Sequence, residues 1–306
     1  MKNFTFNLFL FSAFLSMVLM VFTGCDLNDN DENGDDFTGS TESYELLEAG
    51  GSGISGVVIF EELEDGSTLV TIQVNGTVSG AEYPAHIHDN TVAEGGGVAV
   101  PFNNVDGASG VSETVVSEVN NTSITYDDLI AFDGFVNIHD PDDSSIIVAH
   151  GDIGGNALTG ESITYTLEEA NESGISGTVV FEERINGNTL ATIELTGTVD
   201  DESYAAHIHE NSVVQGGGVS VPLANVDGTT GLSETNIRAA QTDGNLTYDA
   251  LLNYDGHVNV HDPDDLSILV AQGNIGANYG DEPGNGNDDD NGNDDNGNDD
   301  DNGNDY

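Results

Sequence analysis

The chain has 306 residues, of which 56 are acidic and only 3 basic, for a formal net charge of −53 at pH 7. A charge of that sign and size excludes nucleic acid and anionic membrane surfaces as electrostatic partners, since both would be repelled. One cysteine in the whole chain excludes an intrachain disulfide.

Lys2 is followed by an apolar run from Phe4 to Phe22, then by Thr23, Gly24 and Cys25. Such a run at the N-terminus predicts a targeting segment over residues 1–24, although its length also suits a membrane helix. The position of Cys25 decides between them. The ending resembles the lipobox of bacterial lipoproteins, with Phe22 where that pattern usually has leucine, and the resemblance implies acylation of Cys25 and attachment to a membrane. The following DLNDNDENGDD is similar to the acidic signals that send some Gram-negative lipoproteins to the outer face of the outer membrane. The expected location is therefore the bacterial outer membrane, lipid-anchored and facing outward. Residues 25–42 show no apolar period and read as a flexible acidic tether. Asp29, Asp31, Asn33 and Gly34 fit the start of a calcium loop, but its twelfth position would be Ser40 rather than glutamate, so only weak calcium affinity follows.

The body of the chain is written twice. Residues 83–113, YPAHIHDNTVAEGGGVAVPFNNVDGASGVSE, recur 121 positions on as residues 204–234, YAAHIHENSVVQGGGVSVPLANVDGTTGLSE. GISGVVIFEE (53–62) matches GISGTVVFEE (174–183), and VNIHDPDD (136–143) matches VNVHDPDD (258–265). Two tandem domains are expected, residues 43–158 and 162–278, each long enough for its own core. In each, apolar and polar residues alternate, as at Val70, Ile72 and Val74 or at Ile193 and Leu195, which predicts strands with one buried face. Turn residues at Glu64-Asp-Gly-Ser and Asn186-Gly-Asn separate them. Further strands fit 83–88, 97–102, 134–139 and 145–150, with one short helix at 126–131 and its counterpart at 248–252. Residues 281–306 are Asn, Asp and Gly with almost nothing apolar, and read as a disordered acidic tail with loose calcium affinity.

The order SG-x-V-x-F, AHIH, GGGV-x-VP and VN-[IV]-H, with a last strand ending in G-x-IG, resembles the CHRD domain over both copies. That family implies a β-sandwich similar in fold to copper/zinc superoxide dismutase, and no established activity. The fold class expected is all-β, two tandem Greek-key β-sandwiches with disordered acidic ends.

Three pairs of histidines recur at matched positions: His86 with His207, His88 with His209, and His139 with His261. In a strand, residues i and i+2 share a face, so His86 and His88 point together while Ile87 points into the core. On the later strand Val136 and Ile138 take the inner face and leave His139 on the outer one. If the two strands are neighbours, three imidazoles converge, a set suited to copper or zinc. The plainer alternative is a set of strand histidines bracing the loop Asp140 to Ser144. His257 and His150 have no match and are additional candidates; His257 stands four residues from His261, about 13 Å along the strand. The glycine triplets at Gly95 and Gly216 lead into Val-x-Val rather than a helix, so they are turn glycines and not a phosphate loop. Asp140-Pro-Asp-Asp and Asp262-Pro-Asp-Asp read as turns.

These features predict a non-catalytic surface protein that binds an extracellular ligand or protein, or supports the envelope. A histidine-based copper or zinc protein is the alternative. A dismutase is disfavoured, since no histidine lies between His88 and His139 and the acidic field would repel superoxide.

Overall fold

The structure, a computed structural model, describes residues 37–280. Cys25, most of the tether and the tail lie outside the described residues, and with them the expected lipid anchor and weak calcium affinity. Among the described residues no helix is long and apolar enough to cross a membrane.

The alternation read from the sequence becomes sheet. In the first repeat the elements are β1 (Phe37–Glu48), β2 (Ser55–Leu63), β3 (Thr68–Asn75), β4 (Glu82–Tyr83), β5 (Ala85–Asp89), β6 (Val98–Pro101), β7 (Val105–Asp106), β8 (Val111–Val116), a small pair β9 (Glu118–Val119) and β10 (Thr122–Ser123), α1 (Tyr126–Ile130), β11 (Gly134–His139) and β12 (Ile147–Ile153). The second repeat follows with β13 (Leu158–Glu169), β14 (Ser176–Arg184), β15 (Thr189–Thr196), β16 (Ser203–Glu210), β17 (Val219–Asp227), β18 (Leu232–Ile237), α2 (Tyr248–Leu251), β19 (Asp255–His261) and β20 (Leu269–Gly276). Val58 and Phe60 of β2 and Val70 and Ile72 of β3 are buried, as the period of two requires.

Each repeat forms one antiparallel sheet with Greek-key connections. The first runs β4-β7-β8-β3-β2-β1-β12-β11-β5-β6, and the second runs β17-β16-β19-β20-β13-β14-β15-β18. In the first sheet one edge strand, β4, runs on after Pro84 into β5, which lies next to the other edge strand β6, so the sheet curls round to meet itself. Proline has no N–H to give a ladder, and it interrupts the strand there. Ala205 stands at the matching position and β16 is continuous. Each curled sheet encloses a separate core, with Leu46, Phe60, Ile87, Leu129 and Ile138 in the first and Leu167, Phe181, Ile208, Leu251 and Val260 in the second. Side chains of this size contribute about 1.5–3 kcal/mol each on full burial.

Three sequence expectations are revised at the strand ends. The stretch 37–42, read as tether, is the start of β1 and pairs with β2 at Phe37 opposite Leu63, then, after an irregularity at 38–40, at Thr41 opposite Glu61 and Glu42 opposite Phe60. It carries no apolar pattern because its side chains are exposed, and backbone pairing holds it, aided by Thr38 and Ser40 hydroxyls donating to Glu62 at 2.6 and 2.9 Å. Residues 159–161, expected between the domains, lie inside β13. The strand expected at 145–150 begins only at Ile147, because Asp140 and Asp143 organise the preceding turn. Asp140 Oδ1 accepts from the amides of Asp142 and Asp143 at 2.9 and 3.1 Å.

The repeats meet through the only two arginines of the chain. Arg184, 1% exposed, pairs with Asp152 at 2.7 Å and also donates to the Asn156 carbonyl. Arg238 makes a forked contact with Glu94, Nε to Oε1 at 2.7 Å and Nη2 to Oε2 at 2.9 Å, and Asn236 adds a third bond to the same carboxylate. Burial opposes ionisation of Glu94, but the bonds from Arg238, Asn236 and Thr91 and the arginine charge hold its carboxyl below the usual glutamate range. The matching positions in the other repeat are all neutral: Leu63 and Ser117 for the arginines, Gln215 and Asn274 for the acids.

Candidate metal centres

β5 and β11 are antiparallel neighbours, with His86 opposite Asn137 and His88 opposite Phe135. Ile87, Val136 and Ile138 are fully buried in the core, so His86, His88, Asn137 and His139 lie together on the outer face. The backbone amide of His139 donates to the Pro84 carbonyl at 2.8 Å, which carries the third imidazole level with the other two. Ring centroids are 5.8 Å apart for His86 and His88, 5.3 Å for His86 and His139, and 6.0 Å for His88 and His139. One ring nitrogen of each lies within 4.8 Å of the other two. The second repeat repeats the arrangement with His207, His209 and His261, at 5.8, 5.1 and 6.3 Å.

The outer face is not open water. His88 and His139 are each 9% exposed. His88 is covered by the loop from Thr91 to Gly97, and the glycines explain how. A Cβ on Gly96 would lie 1.8 Å from the Asp89 carbonyl oxygen, so only glycine lets the loop close there. Closure brings the Gly96 carbonyl 3.1 Å from His88 Nδ1, and Gly217 does the same for His209 at 3.1 Å. A ring that donates from Nδ1 to a carbonyl is fixed in the tautomer that leaves the Nε2 lone pair free, the usual support for a metal-binding histidine. His261 donates from Nδ1 to the Leu266 carbonyl at 2.7 Å, so the turn after Asp262 braces the histidine of the second repeat.

The remaining ring nitrogens have no partner. His86 Nδ1, His88 Nε2 and His139 Nδ1 are buried and unbonded in the first repeat, and His207 Nδ1, His209 Nε2 and His261 Nε2 in the second. Buried polar atoms are normally satisfied. Three imidazoles that bring one ring nitrogen each within 4.8 Å, in a neighbourhood that also leaves ring nitrogens unbonded, fit the donor set of an ion that takes imidazole nitrogen, and zinc or copper is the metal such ligands select. Burial, and then the neighbouring imidazoles, pull His86 and His207 below the ordinary histidine range, and burial with the His88 charge does so for His139. In His86, His139 and His207 this favours the neutral ring, the form that coordinates a metal.

The two unmatched histidines fall outside the triads. His150 on β12 pairs with Asn137, so a whole strand separates it from His86. His257 lies directly across from His209 and stacks on it at 5.1 Å and 24°, while donating to the Asn211 carbonyl across 2.8 Å. Phe135 makes the same stack on His88, at 5.1 Å and 23°. His257 is thus a packing residue that happens to be an imidazole.

A cleft of about 790 Å³ opens over the first triad, with His88, Asn137 and His139 on one side and Thr192, Leu232, Ser233 and Glu234 of the second repeat on the other. Glu94, Asp152, Arg184 and Arg238, which hold this arrangement, were not among the residues the sequence singled out. The signal was there as charge differences between otherwise matched positions. Compared with known proteins, the chain matches no family, no curated protein and no solved structure.

Proposed function

We propose that the chain is a non-catalytic surface protein that binds two transition-metal ions, zinc or copper, one in each of two CHRD-like modules. His86, His88 and His139 hold the first ion and His207, His209 and His261 the second. The observation that carries this reading is the convergence, in each repeat, of three imidazoles with one ring nitrogen of each within 4.8 Å of the other two. Three neutral imidazoles leave a fourth position for water or a ligand. The lipobox-like ending at Cys25 and the acidic run behind it support an outer-membrane location through an acyl chain, with the acidic exterior keeping the protein soluble and apart from anionic surfaces. On this reading calcium, which prefers hard oxygen ligands, is confined to the acidic ends.

Metal analysis of the full chain after equilibration with zinc or copper and removal of excess ion tests the proposal. Two ions per chain are expected, one in His88→Ala or His209→Ala alone, and none at these sites in the double variant. A double variant that retains both ions at unchanged affinity would show that the histidines are structural, leaving the role as an interaction or envelope module.

A further inference from the structure

The two triads are alike in their ligands and unlike in their surroundings. Over the first lies the second repeat; over the second, among the described residues, lies no counterpart, and Val214 and Leu266 beside it are 69% and 62% exposed. The walls of the covered cleft are mostly apolar, with Ala93, Phe135 and Ile147 from the first repeat and Thr192 and Leu232 from the second. One further lining residue, Asn137, only 4% exposed, carries a buried polar atom without a partner, its Oδ1.

We infer that this cleft is a composite binding site for a small, uncharged organic molecule with an apolar body and one neutral nitrogen donor. The inference rests on the metal reading above, because the nitrogen takes the fourth position on the ion held by His86, His88 and His139. The volume lies within the usual range for small-molecule pockets, roughly 300–1,000 Å³. The apolar walls take the body of the ligand. The Asn137 side-chain carbonyl, on the same outer face as the histidines, accepts from the N–H of the ligand's nitrogen heterocycle, satisfying that orphaned atom. Glu234 on the wall and the chain's net charge of −53 select against anionic donors such as carboxylates and phosphates. Neutral nitrogen suits zinc and copper. The second triad offers its ion to solvent and lacks the opposing wall, so it holds such a molecule only weakly.

Cobalt(II) reports this directly, since its visible absorption changes when a fourth ligand replaces water. The full chain is loaded with cobalt and titrated with 4-phenylimidazole as probe. The expected result is two cobalt ions per chain and a biphasic titration, one ion responding at a concentration at least tenfold lower than the other. Leu232→Arg, at a site already 45% exposed, should weaken the tight phase by at least tenfold while two cobalt ions remain bound, which also shows that the variant is folded. Val214→Arg beside the other triad should leave the tight phase as it is. A single phase with both ions responding alike, no response to the probe, or a tight phase indifferent to Leu232→Arg overturns the composite site and leaves metal binding standing. Failure to bind cobalt, zinc or copper overturns both.

Discussion

The buried pair of Arg184 and Asp152 can be removed in two ways that the protein's own repeats supply. Leu63 occupies the position of Arg184 in the first repeat, and Asn274 the position of Asp152 in the second. Arg184→Leu leaves the Asp152 carboxylate, whose side chain is 13% exposed, without its cation at 2.7 Å. Breaking one side of a buried ion pair costs about 3–5 kcal/mol. Asp152→Asn strands a guanidinium whose side chain has no exposure, and is expected to cost about as much, roughly 3–5 kcal/mol. The asparagine keeps the other task of Asp152, accepting from the Val92 amide at 2.8 Å, because Asn274 accepts from Val213 at the same distance. The double variant loses both charges together and retains only the loss of the bond to the Asn156 carbonyl, about 1 kcal/mol. Urea unfolding of the four proteins should therefore give a favourable coupling of about 5–9 kcal/mol, the two single losses together less that of the double variant. Single variants would melt roughly 6–20 °C below the parent, at about 2–4 °C per kcal/mol for a body of this size. Additive single effects, within about 0.5 kcal/mol, would refute the view that the charges matter mainly to one another.

Three further outcomes follow from the same geometry. Gly96→Ala places a methyl group against the Asp89 carbonyl and displaces the carbonyl that orients His88; metal content should fall from two ions to one, with a stability loss of about 1–3 kcal/mol by unfolding. His257→Phe copies Phe135 and should leave both ions bound, as metal analysis would show; loss of an ion would make His257 a ligand. Because His86, His139, His207 and His257 have depressed values, caused first by burial, the folded protein binds fewer protons than the unfolded chain just below the ordinary histidine value of about 6.5. Stability of the metal-free protein is therefore present above about pH 6.5 and lost as pH falls through the depressed values, and zinc should carry the loss to lower pH in thermal melts.

Most of the architecture was legible because it is local and repeated. Alternation at Val70, Ile72 and Val74 fixes a buried face, and the His-Ile-His spacing fixes two imidazoles on the opposite face, whatever the strand pairs with. Pairing itself is long-range. The distance from His257 to His261 along one strand could be counted, but its stack on His209 depends on cross-strand register, which no local pattern states. The start of β1 was hidden for a related reason, since Phe37, Thr41 and Glu42 pair through the backbone around an irregular stretch and bury no side chain that a period could reveal. The cover over the first triad depends on how two repeats dock, and the clue to it was Glu94 and Asp152 standing where the second copy has Gln215 and Asn274.

The one-way placement of those charges bears on how many modules can be strung together. A repeat that presents the same two faces to each neighbour can add copies without end, as a helical filament does when a head-to-tail contact fails to close. Here the histidine face that accepts arginines exists only on the first module, and the arginines that seek it exist only on the second. The outer face of the second module offers Gln215 and Asn274, and the matching surface of the first offers Leu63 and Ser117. Neither free end can repeat the clamp. The pair is a closed sentence, capped at both ends by the loss of charge, and molecules crowded together are not joined into chains through this contact.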